Sequence, residues 1–226
     1  TSHTLTPKFL LRYAPGHMRK ESNGARLSHL NVFSLDRLNS FNNFENGLSA
    51  ALGFDYKLDQ NNKKFDISVA QIVNEKENKL MPKTSSLNQK LSDVVGASNL
   101  EINDNFKINY NFSLDQNMKD FNYNEIGSNI SLNSIKFNLS YLQEQKHIGN
   151  QEYFKTGLVY EKGDSGLFTF NAKRNLITSS AEYYNLSYEY INDCLRAGLV
   201  FRREFYNDSE IEPEDSLMFK ISFTPL

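Results

Sequence analysis

The sequence predicts an all-β protein, an antiparallel portion of a transmembrane β-barrel with about twelve long strands. Three observations predict it. Apolar and polar residues alternate with period two in run after run, the mark of a strand with one apolar and one wet face. Many of these runs are about 9–12 residues long, beyond the ~5–6 typical of soluble strands and close to the ~9–11 needed to cross a bilayer on a tilt. The connections alternate long and short, as in outer-membrane barrels with short periplasmic turns and longer extracellular loops.

Composition agrees. The 226 residues include 17 Phe, 12 Tyr, 28 Asn and no Trp. Aromatics favour strands, and abundant Asn disfavours helix interiors. Mean hydropathy is -0.57, and no run approaches the ~18 apolar residues of a membrane helix. Lys and Arg number 25 against 27 Asp and Glu, a net charge of -2, which excludes an electrostatic nucleic-acid binder. The first residue is Thr1, and no basic and apolar leader follows it. The chain is therefore expected to be a mature fragment or a piece of something longer.

In order, strands are expected at 7–13, 47–58, 64–74, 92–102, 106–114, 121–132, 135–142, 153–161, 167–174, 181–190, 194–206 and 216–224. The first is read from Pro7-Lys-Phe-Leu-Leu-Arg-Tyr13. In the second, Leu48, Ala50, Leu52, Phe54, Tyr56 and Leu58 alternate with Ser49, Ala51, Gly53, Asp55 and Lys57. Phe106, Ile108, Tyr110, Phe112 and Leu114 define the fifth, and Ile135, Phe137, Leu139 and Tyr141 the seventh. Tyr184, Leu186, Tyr188 and Tyr190 define the tenth, and Leu195, Ala197, Leu199 and Phe201 the eleventh. Leu217, Phe219, Ile221 and Phe223 define the last. The long connections are 14–46, 75–91, 115–120, 143–152, 175–180 and 207–215; the short ones are 59–63, 103–105, 133–134, 162–166 and 191–193. If the short ones are periplasmic, the last strand runs toward the periplasm.

Tyr56, Tyr110, Tyr141, Tyr160 and Tyr190 sit toward strand ends on the apolar face, as an interfacial girdle would. The opposite face, rich in Asn, Ser, Lys, Asp and Glu, suits a water-filled lumen. A soluble β-sandwich also alternates, so pattern alone leaves it as the second reading.

A more specific signal comes from Pro7-Lys-Phe-Leu-Leu-Arg-Tyr-Ala-Pro15, Asn31-Val-Phe-Ser-Leu-Asp-Arg37, Glu45-Asn-Gly-Leu-Ser-Ala-Ala-Leu-Gly-Phe-Asp-Tyr56, Ser92-Asp-Val-Val-Gly96 and Tyr110-Asn-Phe-Ser-Leu-Asp115. The last block is Leu186-Ser-Tyr-Glu-Tyr-Ile-Asn-Asp-Cys-Leu-Arg-Ala-Gly-Leu-Val-Phe-Arg-Arg-Glu-Phe205. Together they resemble the C-terminal part of the lipopolysaccharide-assembly barrel family, LptD (OstA, Imp). The resemblance spans nearly the whole chain. It implies that residues 1–226 are one domain, the C-terminal part of an outer-membrane barrel whose periplasmic N-terminal domain is absent. The implied function is a component of the outer-membrane lipopolysaccharide translocon, inserting lipopolysaccharide into the outer leaflet. Implied partners are lipopolysaccharide, a plug lipoprotein in the lumen, and a periplasmic bridge protein reached through the missing domain. A porin or uptake barrel is the alternative, and an outer-membrane enzyme the third reading.

The one cysteine, Cys194, excludes an internal disulfide and a cysteine-rich metal site. By loop parity it lies in a periplasmic turn, where an odd cysteine suggests a bond outside the chain; the resemblance implies a partner near the missing N-terminal domain. The resemblance further implies that the terminal strand, Ser216, Leu217, Met218, Phe219, Lys220, Ile221, Ser222 and Phe223, forms one side of a lateral gate. Leu217, Phe219, Ile221 and Phe223 would face lipid, and Met218, Lys220 and Ser222 the lumen. Pro225 lacks an N–H and would weaken the ladder there. Arg196, Arg202 and Lys220 are candidate lumen contacts for anionic groups, with Lys8, Arg12 and Arg203 as further members of the route, although Arg203 falls on the lipid-facing register and would sit near an interface or beyond it. Pairing with Asp and Glu is the plainer alternative. The acidic run Glu210, Glu212, Glu214 and Asp215 reads as a solvated loop or a weak cation site. His3, His17, His29 and His147 have no metal-ligand spacing, and no nucleophile motif or phosphate loop occurs. No catalysis, cofactor, metal or nucleic acid is therefore expected.

Overall fold

The computed structural model describes every residue except 23, 25, 39, 41, 147, 148, 164, 193, 206–214 and 224–226. Among the described residues twelve strands form: β1 (Ser2–Ala14), β2 (Gly47–Gln60), β3 (Lys63–Asn74), β4 (Val94–Asn103), β5 (Phe106–Leu114), β6 (Phe121–Leu132), β7 (Ile135–Glu144), β8 (Gln151–Lys162), β9 (Gly166–Asn175), β10 (Ser180–Ile191), β11 (Leu195–Glu204) and β12 (Asp215–Phe223). Their order in one sheet is the order of the sequence, a meander of hairpins. One short 3-10 turn, Lys83–Ser85, interrupts the connection before β4. No described helix is long and apolar enough to cross a membrane, which says nothing of strands.

β1 starts earlier than its apolar pattern suggests. Ser2, His3 and Thr4 lack the alternation, yet they pair with Asp59, Leu58 and Lys57. A ladder is held by backbone groups, so the length of β2 carries β1 outward beyond its own hydrophobic signal. The connection expected at 175–180 contracts to 176–179 as β9 and β10 extend toward each other. The two-residue turns 61–62 and 133–134 carry Asn61 (φ 53) and Asn133 (φ 47), so part of the Asn excess serves left-handed turn positions. The acidic run Glu210, Glu212 and Glu214, His147, Thr224 and Pro225 lie outside the described residues.

Two compact units result. The first comprises Thr1–Ile102, Asn109–Ile126 and Gln143–Asn150, and the second Asn103–Ile108, Gly127–Leu142 and Gln151–Leu226. In the first unit, Ser49, Ala51 and Gly53 of β2 pair with Asn74, Ile72 and Ala70 of β3, and Ala70 with Val95 of β4. That face is not wet. Met18, Leu27, Val32 and Leu38 of the 15–46 segment, with Met81 and Leu87 of the 75–93 connection, bury Ala51, Ala70, Ile72 and Val95 in one core. The 15–46 segment is thus a strap laid on the inner face. Gly53 permits the contact, because a Cβ there would come within 2.7 Å of Ala70 Cβ and 3.0 Å of the Phe33 ring. Leu52 and Phe54 stay exposed on the opposite face.

The second unit has no such cover. Leu158 and Tyr160 pair with Phe170 and Phe168, these with Leu186 and Tyr188, these with Phe201 and Leu199, and these with Leu217 and Phe219. One continuous apolar band results, with Leu199 47% and Phe219 68% exposed. Such a band matches the lipid-facing belt of a barrel. The other face carries Thr169, Asn171, Asn185, Ser187, Glu189, Arg196, Arg202 and Lys220 by register.

Candidate functional site

The inner face of the first unit is organised around buried charge. Glu45, just before β2, accepts two hydrogen bonds from Arg37, Nε to Oε2 at 2.7 Å and Nη2 to Oε1 at 2.5 Å. Arg37 Nη2 also donates to Ser49 Oγ at 2.9 Å. Arg12 of β1 donates to the Leu35 carbonyl at 2.8 Å and to the Glu45 carbonyl. Arg37 and Glu45 are each only 3% exposed. Burial lowers the pKa of Arg37, while the Glu45 charge raises it again. A second anchor lies further along the strap. Arg26 pairs with buried Glu144 at 2.5 Å, and its guanidinium lies 3.2 Å from the Tyr123 ring centroid. A third binds the 75–93 connection: Asp93 accepts from Ser113 Oγ (3.0 Å), Asn122 Nδ2 (2.8 Å) and Lys146 Nζ (3.3 Å). His29 is depressed by burial, with the Lys8 charge adding to this and Asp55 opposing it. A cleft of about 220 Å³ runs beside the strap, lined by Arg26, Ser28, His29, Asn111, Tyr123 and Glu125 among others.

Most basic residues expected along a polar route have acidic partners. Lys8 pairs with Asp55 at 2.5 Å, Arg196 with Glu189 at 2.5 Å, Arg202 with Glu204, and Arg203 with Asp215 at 3.4 Å. Lys220 lies opposite Gly198 in the β11–β12 ladder, and among the described residues it makes no ion pair. Among the described residues, no group of three or more His, Cys, Asp and Glu is placed to hold a metal ion.

Comparison with known proteins adds to this geometry. The model of the LptD family, described as LPS transport system D, matches residues 1–188. The chain belongs to the LptD family. It is a bacterial outer-membrane β-barrel protein of lipopolysaccharide transport. No curated protein matches it. Similar solved structures include a mutant of the Rh. blastica porin, at TM-score 0.42 and 10% identity, covering 96% of this chain and 88% of that chain. A triple mutant of the Rhodopseudomonas blastica porin gives TM-score 0.38 and 10% identity, covering 92% and 91%.

In this LptD-family chain, Cys194 lies in the turn between β10 and β11, exposed and free. The turn is shaped by Asn192, whose Oδ1 accepts from the Cys194 N–H at 3.0 Å and the Leu195 N–H at 2.7 Å. β12 pairs with β11 from Arg203↔Asp215 to Leu195↔Phe223. This register puts Leu217, Phe219, Ile221 and Phe223 on the face of Leu199 and Phe201. It puts Ser216, Met218, Lys220 and Ser222 on the face of Arg196 and Arg202. The strap anchors Arg26, Arg37, Glu45 and Glu144 were not legible as a set, since each partner is remote in sequence. The hint was local: Ser49, Ala51 and Gly53 are small where a free wet face has no need of small side chains.

Proposed function

We propose that this chain is the C-terminal part of the barrel of a lipopolysaccharide translocon, which inserts lipopolysaccharide into the outer leaflet with β12 as one side of a lateral gate. Membership of the LptD family carries this reading. The β11–β12 register supports it, by sorting β12 into an apolar face and a face bearing Lys220 and Ser222. An opening seam needs a ladder short enough to part, since each unmade hydrogen bond in lipid costs several kcal/mol. A plug lipoprotein occupies the lumen of the whole barrel, and a periplasmic bridge protein delivers lipopolysaccharide through a domain outside this chain. Cys194, exposed in a turn on the short-loop side, forms its bond to a cysteine outside the chain.

The test is a disulfide lock across the seam. In the full-length protein, a cysteine at Ser222 and one on the facing first barrel strand are oxidised, and surface lipopolysaccharide is measured. Delivery stops while the barrel stays folded if β12 is the gate. Undiminished delivery with the crosslink confirmed removes the gate from this strand. For Cys194, thiol labelling of denatured, non-reduced full-length protein should fail until reductant is added.

A further inference from the structure

The cleft of about 220 Å³ beside the strap carries one carboxylate in excess, and all of its lining belongs to the first unit. Arg26 is bound to Glu144 at 2.5 Å, so that pair is balanced. His29, its pKa lowered by burial, is neutral at pH 7. Glu125 makes no ion pair among the described residues. Its Oε2 accepts from the Tyr123 hydroxyl at 2.6 Å and from Asn111 Nδ2 at 3.3 Å. Uncharged donors stabilise a carboxylate but leave its charge in place. The other oxygen, Oε1, has no partner among the described residues. Nor do Asn111 Oδ1 and Ser28 Oγ, of two further residues that line the cleft. The cleft thus offers three free acceptors, one of them charged.

These acceptors select among cations. A metal ion needs several carboxylate or carbonyl ligands, and no group of acidic, His or Cys residues able to hold one occurs among the described residues. A guanidinium fork engages both oxygens of a carboxylate, and Oε2 is already taken twice. A primary ammonium is a compact charge with three donors, one for each free acceptor. Leu30, 83% exposed, and Phe112 add apolar lining for an alkyl stem. We infer that this cleft is a binding site for a small primary alkylammonium ion, with Glu125 as its counter-ion and Asn111 and Ser28 as further acceptors. The site goes beyond the lipopolysaccharide-transport reading and stands without it.

The experiment is calorimetry on full-length protein in detergent, at pH 7 and fixed ionic strength, with n-butylamine, its neutral analogue butan-1-ol, and N-butylguanidine. The amine should bind, the alcohol should not, and the guanidine should bind several-fold more weakly than the amine. Glu125→Gln should weaken the amine about tenfold or more, as one charge-assisted contact is lost. The Gln carbonyl still accepts from Tyr123 and Asn111, so the thermal midpoint should hold. Ser28→Asp adds a second carboxylate to the cleft and should tighten amine binding, a gain that misfolding does not produce. Glu161→Gln, which removes the partner of Lys136 in the second unit, should change nothing. A wild type that binds no amine overturns the site, as does equal affinity in wild type, Glu125→Gln and Ser28→Asp. Equal binding of the alcohol, or of the guanidine, overturns the ammonium assignment.

Discussion

The two units build similar hairpins and use their inner faces in opposite ways. In the first, small residues on β2 and β3 receive a strap whose apolar side chains and arginines are buried against the sheet. In the second, among the described residues, no apolar side chain is buried, and the inner face keeps paired charges and amides. An alternating strand therefore reports that its two faces differ, but not whether the polar one meets water or another part of the chain. Residue size is the finer signal, since a wet face tolerates long side chains whereas a covered one must make room.

Breaking the strap at its charged anchor should separate the units most. Glu45→Ala leaves Arg37 buried without its carboxylate and should cost about 3–5 kcal/mol in the first unit, read by hydrogen exchange across β1–β3 with β9–β11 unchanged. Ile72→Ala removes a fully buried side chain beneath the strap and should cost about 2–5 kcal/mol. Val200→Ala, on the uncovered inner face of β11, should cost well under half as much in the same denaturation experiment. On the outer face the units should behave alike. Leu52→Arg and Leu199→Arg each put charge into lipid, at about 2–4 kcal/mol near mid-depth, whereas Ser187→Arg should be mild; folding titrations into bilayers measure all three.

The smallest effect concerns acid. His29 has its pKa lowered in the fold from an ordinary value of about 6.5. Above that value it is neutral folded or unfolded and contributes nothing to pH dependence. As pH falls through about 6.5 the unfolded chain takes up the proton first, so stability declines until the lower folded pKa is passed. His29→Asn should flatten this part of the stability profile for the first unit and leave the second unaffected.

Strand positions were legible because period two and turn residues are local. The start of β1 was not, because Ser2–Thr6 is held by its partner strand and not by its own pattern. The shared apolar face of β10–β12 was legible from Tyr188, Leu199 and Phe219, each opposed as alternation requires. The strap was not, because Leu27, Val32 and Leu38 occur among polar residues without strand or helix period. Nor was the cleft of Ser28, Asn111 and Glu125, since alternation gives the face of a strand residue but only the fold lays the strap beside it.

The most direct test of the account labels single cysteines in the full-length protein, with Cys194 replaced, in native outer membranes treated with a water-soluble maleimide. Val200→Cys on the open inner face should label, whereas Leu199→Cys on the lipid face and Ala51→Cys beneath the strap should not. Equal labelling at positions 199 and 200, or free labelling at 51, would contradict it.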